Sequence, residues 1–179
     1  MRYIENKTLS STSEYDEILI GQGVGWVTRK TLTRATVTLY ITDPPPLPSS
    51  PSGVESFEIS KSITGGMKGT TENRVLDNIE RGPLNDPLLG DIVNKSKRLS
   101  KTDLMAFNYA FNNLFLWEGL EDESFAYNGG IILSEDWSWT QTAVRKWRTV
   151  QVWGIIVING DRKLINRVCF TDGEGGESC

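Results

Sequence analysis

A chain without histidine has a short list of chemistries open to it. There is no Ser-His or Cys-His nucleophile pair, no His-ligated zinc or iron, and no side chain whose unperturbed pKa lies near neutrality. What remains is acid-base work by carboxylates and positioning by amides, guanidinium groups and tryptophan. The residues for that are concentrated in DWSWTQTAVRKWRTVQVWG, residues 136 to 154. Alternation along an extended segment puts Trp137, Trp139, Gln141, Ala143 and Arg145 on one face, beside a following strand that carries Gln151 and Trp153. Trp, Gln and Arg on one face describe an apolar pocket with a few orienting polar groups. The bland alternative is that the tryptophans fill a core and Arg145 reaches solvent. Among the acidic residues, Glu121-Asp122-Glu123 and Glu135 suit loop solvation; Asp136, beside the tryptophans, is the candidate acid or base.

The clearest local element follows directly. VQVWGIIVINGDRKLINRVCF, residues 150 to 170, is two alternating apolar runs around Asn159-Gly160, a strong hairpin signal. Its pairing places Gln151, Trp153, Ile155 and Val157 on the same face as Leu164, Asn166, Val168 and Phe170. Two amides on a core face need partners, since an unpaired buried amide costs about 1 to 3 kcal/mol. A ligand or water in a cavity would supply them.

Composition bounds the rest. The chain has 179 residues, 38% of them hydrophobic, with six tryptophans, enough for one core. A net charge of -4 and a pI near 5.0 argue against nucleic acid as a partner. Lys95-Ser96-Lys97-Arg98 is better read as a solvated strand edge. No apolar run approaches the roughly 18 residues of a membrane span. MRYIENKTLSS lacks the apolar core of a signal peptide, which leaves the location open: the secretory route if a signal has been removed, otherwise cytoplasmic. Asn6-Lys7-Thr8 and Asn94-Lys95-Ser96 are glycosylation sequons compatible with that route. Cys169 and Cys179 either bridge across the Gly-rich tail or stand as one core thiol and one tail thiol. GQGVG, residues 21 to 25, lacks the glycine spacing and the Lys-Ser/Thr ending of a phosphate loop and suits a bulge.

The elements that must position these residues are mostly short strands. GVGWVTRKTL and RATVTLYITD read as a first pair, with Ala35, Val37, Leu39 and Ile41 inward. PPPLPSSPSG, residues 44 to 53, is an exposed connection or, less favoured, a linker between domains. VESFEISKSIT, TENRVLDNI and GDIVNKSKRL are three further strands. TDLMAFNYAFNNLFLW, residues 102 to 117, is the one helix, opened by Thr102 or Asp103, with Leu104, Phe107, Phe111, Leu114 and Trp117 at helical spacing. It either packs on the sheet or plugs the mouth of a barrel. The expectation is all-β: a single domain over residues 1 to 179, an antiparallel barrel over about 14 to 170, and a C-terminal tail from 171 to 179.

TAVRKWRTVQVWGIIVINGDRKLINRVCF resembles the end of a group of fungal lipocalin-like proteins, marked by a Val-Arg strand, a Trp, a Gln-Val-Trp-Gly strand, then Asn-Gly or Asp-Gly and an Arg-Val strand. DPLLGDIVNKSKRL, residues 86 to 99, is similar to that group's Gly-Asp-Val-Val-x-x-Ser-Arg strand. Together these cover about a quarter of the chain. The resemblance implies a lipocalin-like barrel holding an apolar terpenoid or tropolone-like molecule; no cofactor or metal is expected, and a homodimer is the one assembly considered. Some of the group are pericyclases, including hetero-Diels-Alderases that join a tropolone quinone methide to a humulene-type sesquiterpene. No catalytic residue carries over from the group. The residues themselves nominate Arg145, Gln151, Asn166 and Asp136 for catalysis, and Trp139, Gln141, Trp153, Trp137, Trp117 and Phe170 for the walls. A non-catalytic carrier of the same fold is the other reading.

Overall fold

The computed structural model describes residues 2–8, 13–32, 36–42, 55–63, 71–100, 102–103, 106, 119–120, 131–139, 145–173 and 177–178. The strands are β1 (Arg2–Thr8), β2 (Thr36–Thr42), β3 (Ser56–Ile63), β4 (Thr71–Val75), β5 (Arg81–Asp86), β6 (Gly90–Leu99), β7 (Ile131–Ser138), β8 (Trp147–Ile158), β9 (Asp161–Asp172) and β10 (Glu177–Ser178). Two helices, α1 (Ser13–Gly21) and α2 (Trp26–Leu32), separate β1 from β2. One sheet runs β1-β2-β3-β4 and the other β10-β9-β8-β7-β6-β5, every pairing antiparallel. The all-β class holds, as two meanders, in each of which sequence neighbours are sheet neighbours.

The sheets meet at one edge. Asp77 bridges Lys97, Asn78 N–H donates to the Ser96 carbonyl at 2.8 Å, and Arg98 pairs with Glu55 at 2.7 Å. Among the described residues no ladder joins β1 to the β9–β10 edge.

The β8–β9 hairpin is paired from Trp147↔Asp172 to Ile158↔Asp161, leaving Asn159 and Gly160 as a two-residue loop. Their φ values of 54° and 82° are those of a type I′ turn, whose twist matches that of the strands and which favours Asn-Gly.

In the second sheet the central strand β7 is buried on both faces, which is why Ile131-Ile132-Leu133 is a continuous apolar run rather than an alternating one. On the sheet's outer face Leu120, Ile131, Leu133, Val150, Val152 and Cys169 cluster. On its inner face Ile132, Trp153 and Ile155 pack against Ile41, Phe57 and Ile59 of the first sheet. Ile92, Trp147 and Phe170 close one end, where Ile18 of α1 reaches them. Ile41 is buried as expected; the side chains of Ala35, Val37 and Leu39 lie outside the described residues.

Three expectations change. GVGWVTRKTL is no strand: α1 ends at a Schellman turn, with Gly23 at φ 82° and Val24 N–H reaching the Leu19 carbonyl at 2.9 Å, and α2 begins at Trp26. Helix wins over β propensity because this turn buries Leu19, Val24 and Leu32 together, with Arg29 tied to Asp16 at 2.9 Å. The single helix is therefore not the only one, and the first strand, β1, lies before residue 14. RGPLND adds β5, turned back into β6 by Asp86, whose Oδ1 accepts from Leu88 N–H and Leu89 N–H. The third concerns the cap of the 102 to 117 segment: Ser100 Oγ accepts from Asp103 N–H at 3.1 Å, and Asp103 Oδ2 accepts from Ser100 Oγ at 2.7 Å, so Ser100 is the N-cap. Thr102, Asp103 and Ala106 are helical; most of that segment, and residues 44 to 53, lie outside the described residues. None of the helices described is long and apolar enough to cross a membrane.

Candidate functional site

Strand registers decide which side chains meet. Asp136 lies opposite Asn94 on β6 and Thr149 on β8; Ser134 lies opposite Ser96 and Gln151; Ile132 lies opposite Trp153, which lies opposite Asn166 on β9. All of these occupy the inner face. From the first sheet, Phe57 and Ile59 are paired with Arg74 and Glu72, so those two charged residues point to the same interior.

There they form a continuous polar row. Lys61 is ion-paired to Glu72; Glu72 Oε2 accepts from Arg74 Nη2 at 2.7 Å; Arg74 Nη1 donates to Asp136 Oδ1 at 2.7 Å. Gln151 Nε2 donates to Asp136 Oδ2 at 2.6 Å, and Asn166 Nδ2 donates to Gln151 Oε1 at 3.2 Å. The row crosses from one sheet to the other through the Arg74–Asp136 contact, both side chains being only 5% exposed. Beside it the hydroxyls of Ser96 and Ser134 share a 2.8 Å hydrogen bond.

Burial sets the electrostatics. Desolvation pushes Glu72 up, but the guanidinium of Arg74 and the ammonium of Lys61 outweigh it and hold the carboxyl at about 2. For Asp136, desolvation is the largest influence and raises it, the neighbouring Glu72 carboxylate adds to the rise, and Arg74 opposes it. Asp136 therefore keeps a proton to higher pH than an ordinary aspartic acid. Arg74, flanked by both carboxylates, is held firmly charged although burial opposes its charge.

Three buried polar atoms near the row have no hydrogen-bond partner among the described residues: Asn94 Nδ2, Trp153 Nε1 and Asn166 Oδ1. Gln151, Asn166 and Val168 keep partial exposure although they face inward, whereas Asp136, Trp153 and Thr149 are buried. Solvent thus reaches the row from the β9 side.

Of the residues singled out by type, Asp136, Gln151, Trp153 and Asn166 come together. Phe170 shares their face but lies at the end closed by Ile92 and Trp147, against Gly21 of α1. Trp137 is on the outer face, opposite Arg148 and under Lys95, whose Nζ lies 5.7 Å from its ring centroid. Trp139 follows the end of β7, half-buried, its backbone N–H donating to the Asp91 carbonyl at 2.9 Å. Arg145 is exposed and donates to the Ile20 carbonyl at 3.0 Å, away from the row. The reason is that β7 ends at Ser138 and β8 begins at Trp147, so residues 136 to 146 are not one strand with one alternation. Gln141 and Trp117 lie outside the described residues.

Asn94 is 3% exposed and faces inward, opposite Asp136. Asn6 lies in β1 opposite Thr38. Cys169, 5% exposed on the outer face, is disulfide-bonded; the chain's other cysteine, Cys179, lies outside the described residues.

Lys61, Glu72 and Arg74 escaped the sequence reading. Glu72 and Arg74 stand two apart on a short strand, a spacing that assigns them one shared face. A pair of opposite charges on one face normally marks the solvent side. Comparisons with known protein families, with curated proteins and with solved structures find no match for this chain.

Proposed function

We propose that the chain is a cofactor-independent cyclase of the fungal lipocalin-like kind, a single-domain barrel whose interior binds an apolar terpenoid or polyketide molecule and directs a stereoselective hetero-Diels-Alder type cycloaddition. The observation that carries this reading is Asp136: a buried carboxyl with a raised proton affinity, on an inner face that also presents Gln151, Asn166 and two unpartnered buried donors.

The chemistry divides between these groups. In its protonated form Asp136 gives its proton to a leaving hydroxyl of the substrate, which departs as water. The proton of a second, enolic hydroxyl returns to the carboxylate, so that the net change is loss of water and formation of a quinone methide. Cycloaddition then needs no nucleophile. Holding diene and alkene in near-attack geometry supplies much of the acceleration, and N–H donors such as Asn94 Nδ2 stabilise the carbonyl oxygen as charge develops on it. The non-catalytic carrier is supported by a different observation: both oxygens of Asp136 already accept N–H donors, an arrangement that suits a resting carboxylate.

The test is incubation of the protein with a hydroxymethyl-substituted tropolone and a humulene-type olefin, read by chiral chromatography and by quenching of tryptophan fluorescence. A cyclase gives a single stereoisomer, Asp136→Asn loses the dehydration step, and Gln151→Leu stays folded with reduced selectivity. Quenching by the olefin with no protein-dependent product rejects the cyclase and retains the carrier. A protein that binds neither compound rejects both.

A further inference from the structure

The polar row has a direction, and its far end is unfinished. Arg74 Nη1 and Gln151 Nε2 both donate to the Asp136 carboxylate, so Gln151 turns Oε1 toward Asn166 and Asn166 meets it with Nδ2. Asn166 Oδ1 is then a buried acceptor without a partner among the described residues. Its cross-strand neighbour in register is Trp153, 2% exposed, whose Nε1 is a buried donor equally without one. Directly opposed side chains on one face have Cβ atoms about 5 Å apart, so the two orphaned groups belong to neighbouring side chains.

The chemistry of a group serving both follows from what each atom can do. An indole N–H only donates and an amide oxygen only accepts. An ether or ketone oxygen satisfies the indole and leaves the amide; an ammonium does the reverse. A hydroxyl accepts from Trp153 and donates to Asn166. Charge is disfavoured, because Lys61 and Arg74 are matched by Glu72 and Asp136, and Arg98 is matched by Glu55. The surroundings of Trp153 are Phe57, Ile132 and Ile155, which suit a hydrocarbon body.

We propose that Trp153 Nε1 and Asn166 Oδ1 form the seat for the hydroxyl group of an uncharged, otherwise apolar alcohol, a substrate class that rests on reading the interior as a binding site. The experiment titrates the protein, labelled with nitrogen-15, with 1-octanol, octyl methyl ether and octanoate, following the indole N–H resonance that Trp153→Phe removes. The alcohol moves that resonance and binds roughly tenfold more tightly than the ether. Asn166→Leu abolishes the difference while ether binding persists; should that variant not fold, Trp153→Phe, which keeps an aromatic ring but loses the donor that both compounds engage, must weaken alcohol and ether alike and leave the difference standing. Equal affinity for alcohol and ether, or tighter binding of octanoate than of octanol, overturns the hydroxyl seat and leaves the binding site standing. Binding of none of the three overturns both.

Discussion

Arg74 Nη1 and Asp136 Oδ1 meet 2.7 Å apart across the interior, a strand of one sheet joined to a strand of the other by a buried ion pair. Burying two charges is costly, and attraction repays the cost only where further hydrogen bonds satisfy both groups. Here they do: Arg74 has Glu72 on its other side, and Asp136 has Gln151. The charges of Lys61, Glu72, Arg74 and Asp136 balance when Asp136 is ionised, and protonating Asp136 leaves one positive charge in excess.

Arg74→Met is expected to destabilise the protein by about 3 to 5 kcal/mol, because it strands Asp136 in the interior. Asp136→Asn alone also destabilises, since its amide presents N–H groups to donors. The double variant should be less damaged than the sum, by about 1 to 3 kcal/mol of coupling. Urea unfolding of the three variants measures this, and strictly additive losses would show that the pair does not hold the sheets together.

Glu72 and Asp136 make opposite contributions to pH dependence. Glu72, lowered from 4.5 to about 2, stabilises the fold above pH 4.5, and that contribution is lost as pH falls through 2. Its size is of order 2 to 4 kcal/mol. Asp136, raised above its ordinary value, contributes stability at acid pH that is lost as pH rises through its folded-state pKa. Glu72→Gln should therefore flatten the acid limb of the stability profile between pH 4.5 and 2, and Asp136→Asn should not. Chemical denaturation at a series of pH values tests both; an unchanged acid limb in Glu72→Gln would contradict the assignment.

Two glycines should respond differently to alanine. A Cβ at Gly21 overlaps the ring of Phe170, which Ile92 and Trp147 hold in place, so Gly21→Ala is expected to cost about 1 to 3 kcal/mol. A Cβ at Gly154 lies 2.8 Å from Leu120 Cδ2, the rotatable end of a side chain, and Gly154→Ala should cost less, under about 1.5 kcal/mol. Thermal melts rank the two. The reverse order would mean that α1 is not packed against the end of β9.

The sequence by itself determined the β8–β9 hairpin and therefore half of the site. Alternation and the Asn159-Gly160 turn are local, and they fix both the register and the shared face of Gln151, Trp153, Asn166 and Phe170 without help from the rest of the chain. Alternation states which residues of a strand share a face; it does not state which face turns inward, nor how the phase carries through a connection. Hence alternation alone groups Trp137 with Gln151, whereas the β7–β8 register opposes Ser134 to Gln151 and Asp136 to Thr149, sending Trp137 to the outer face and Asp136 to the inner. The same limit hid Glu72 and Arg74, whose charges favour water until a second sheet offers Asp136 and the local Lys61 completes the row. Only the tertiary structure decided that burial, because the free energy that permits it comes from partners 62 residues away in the chain.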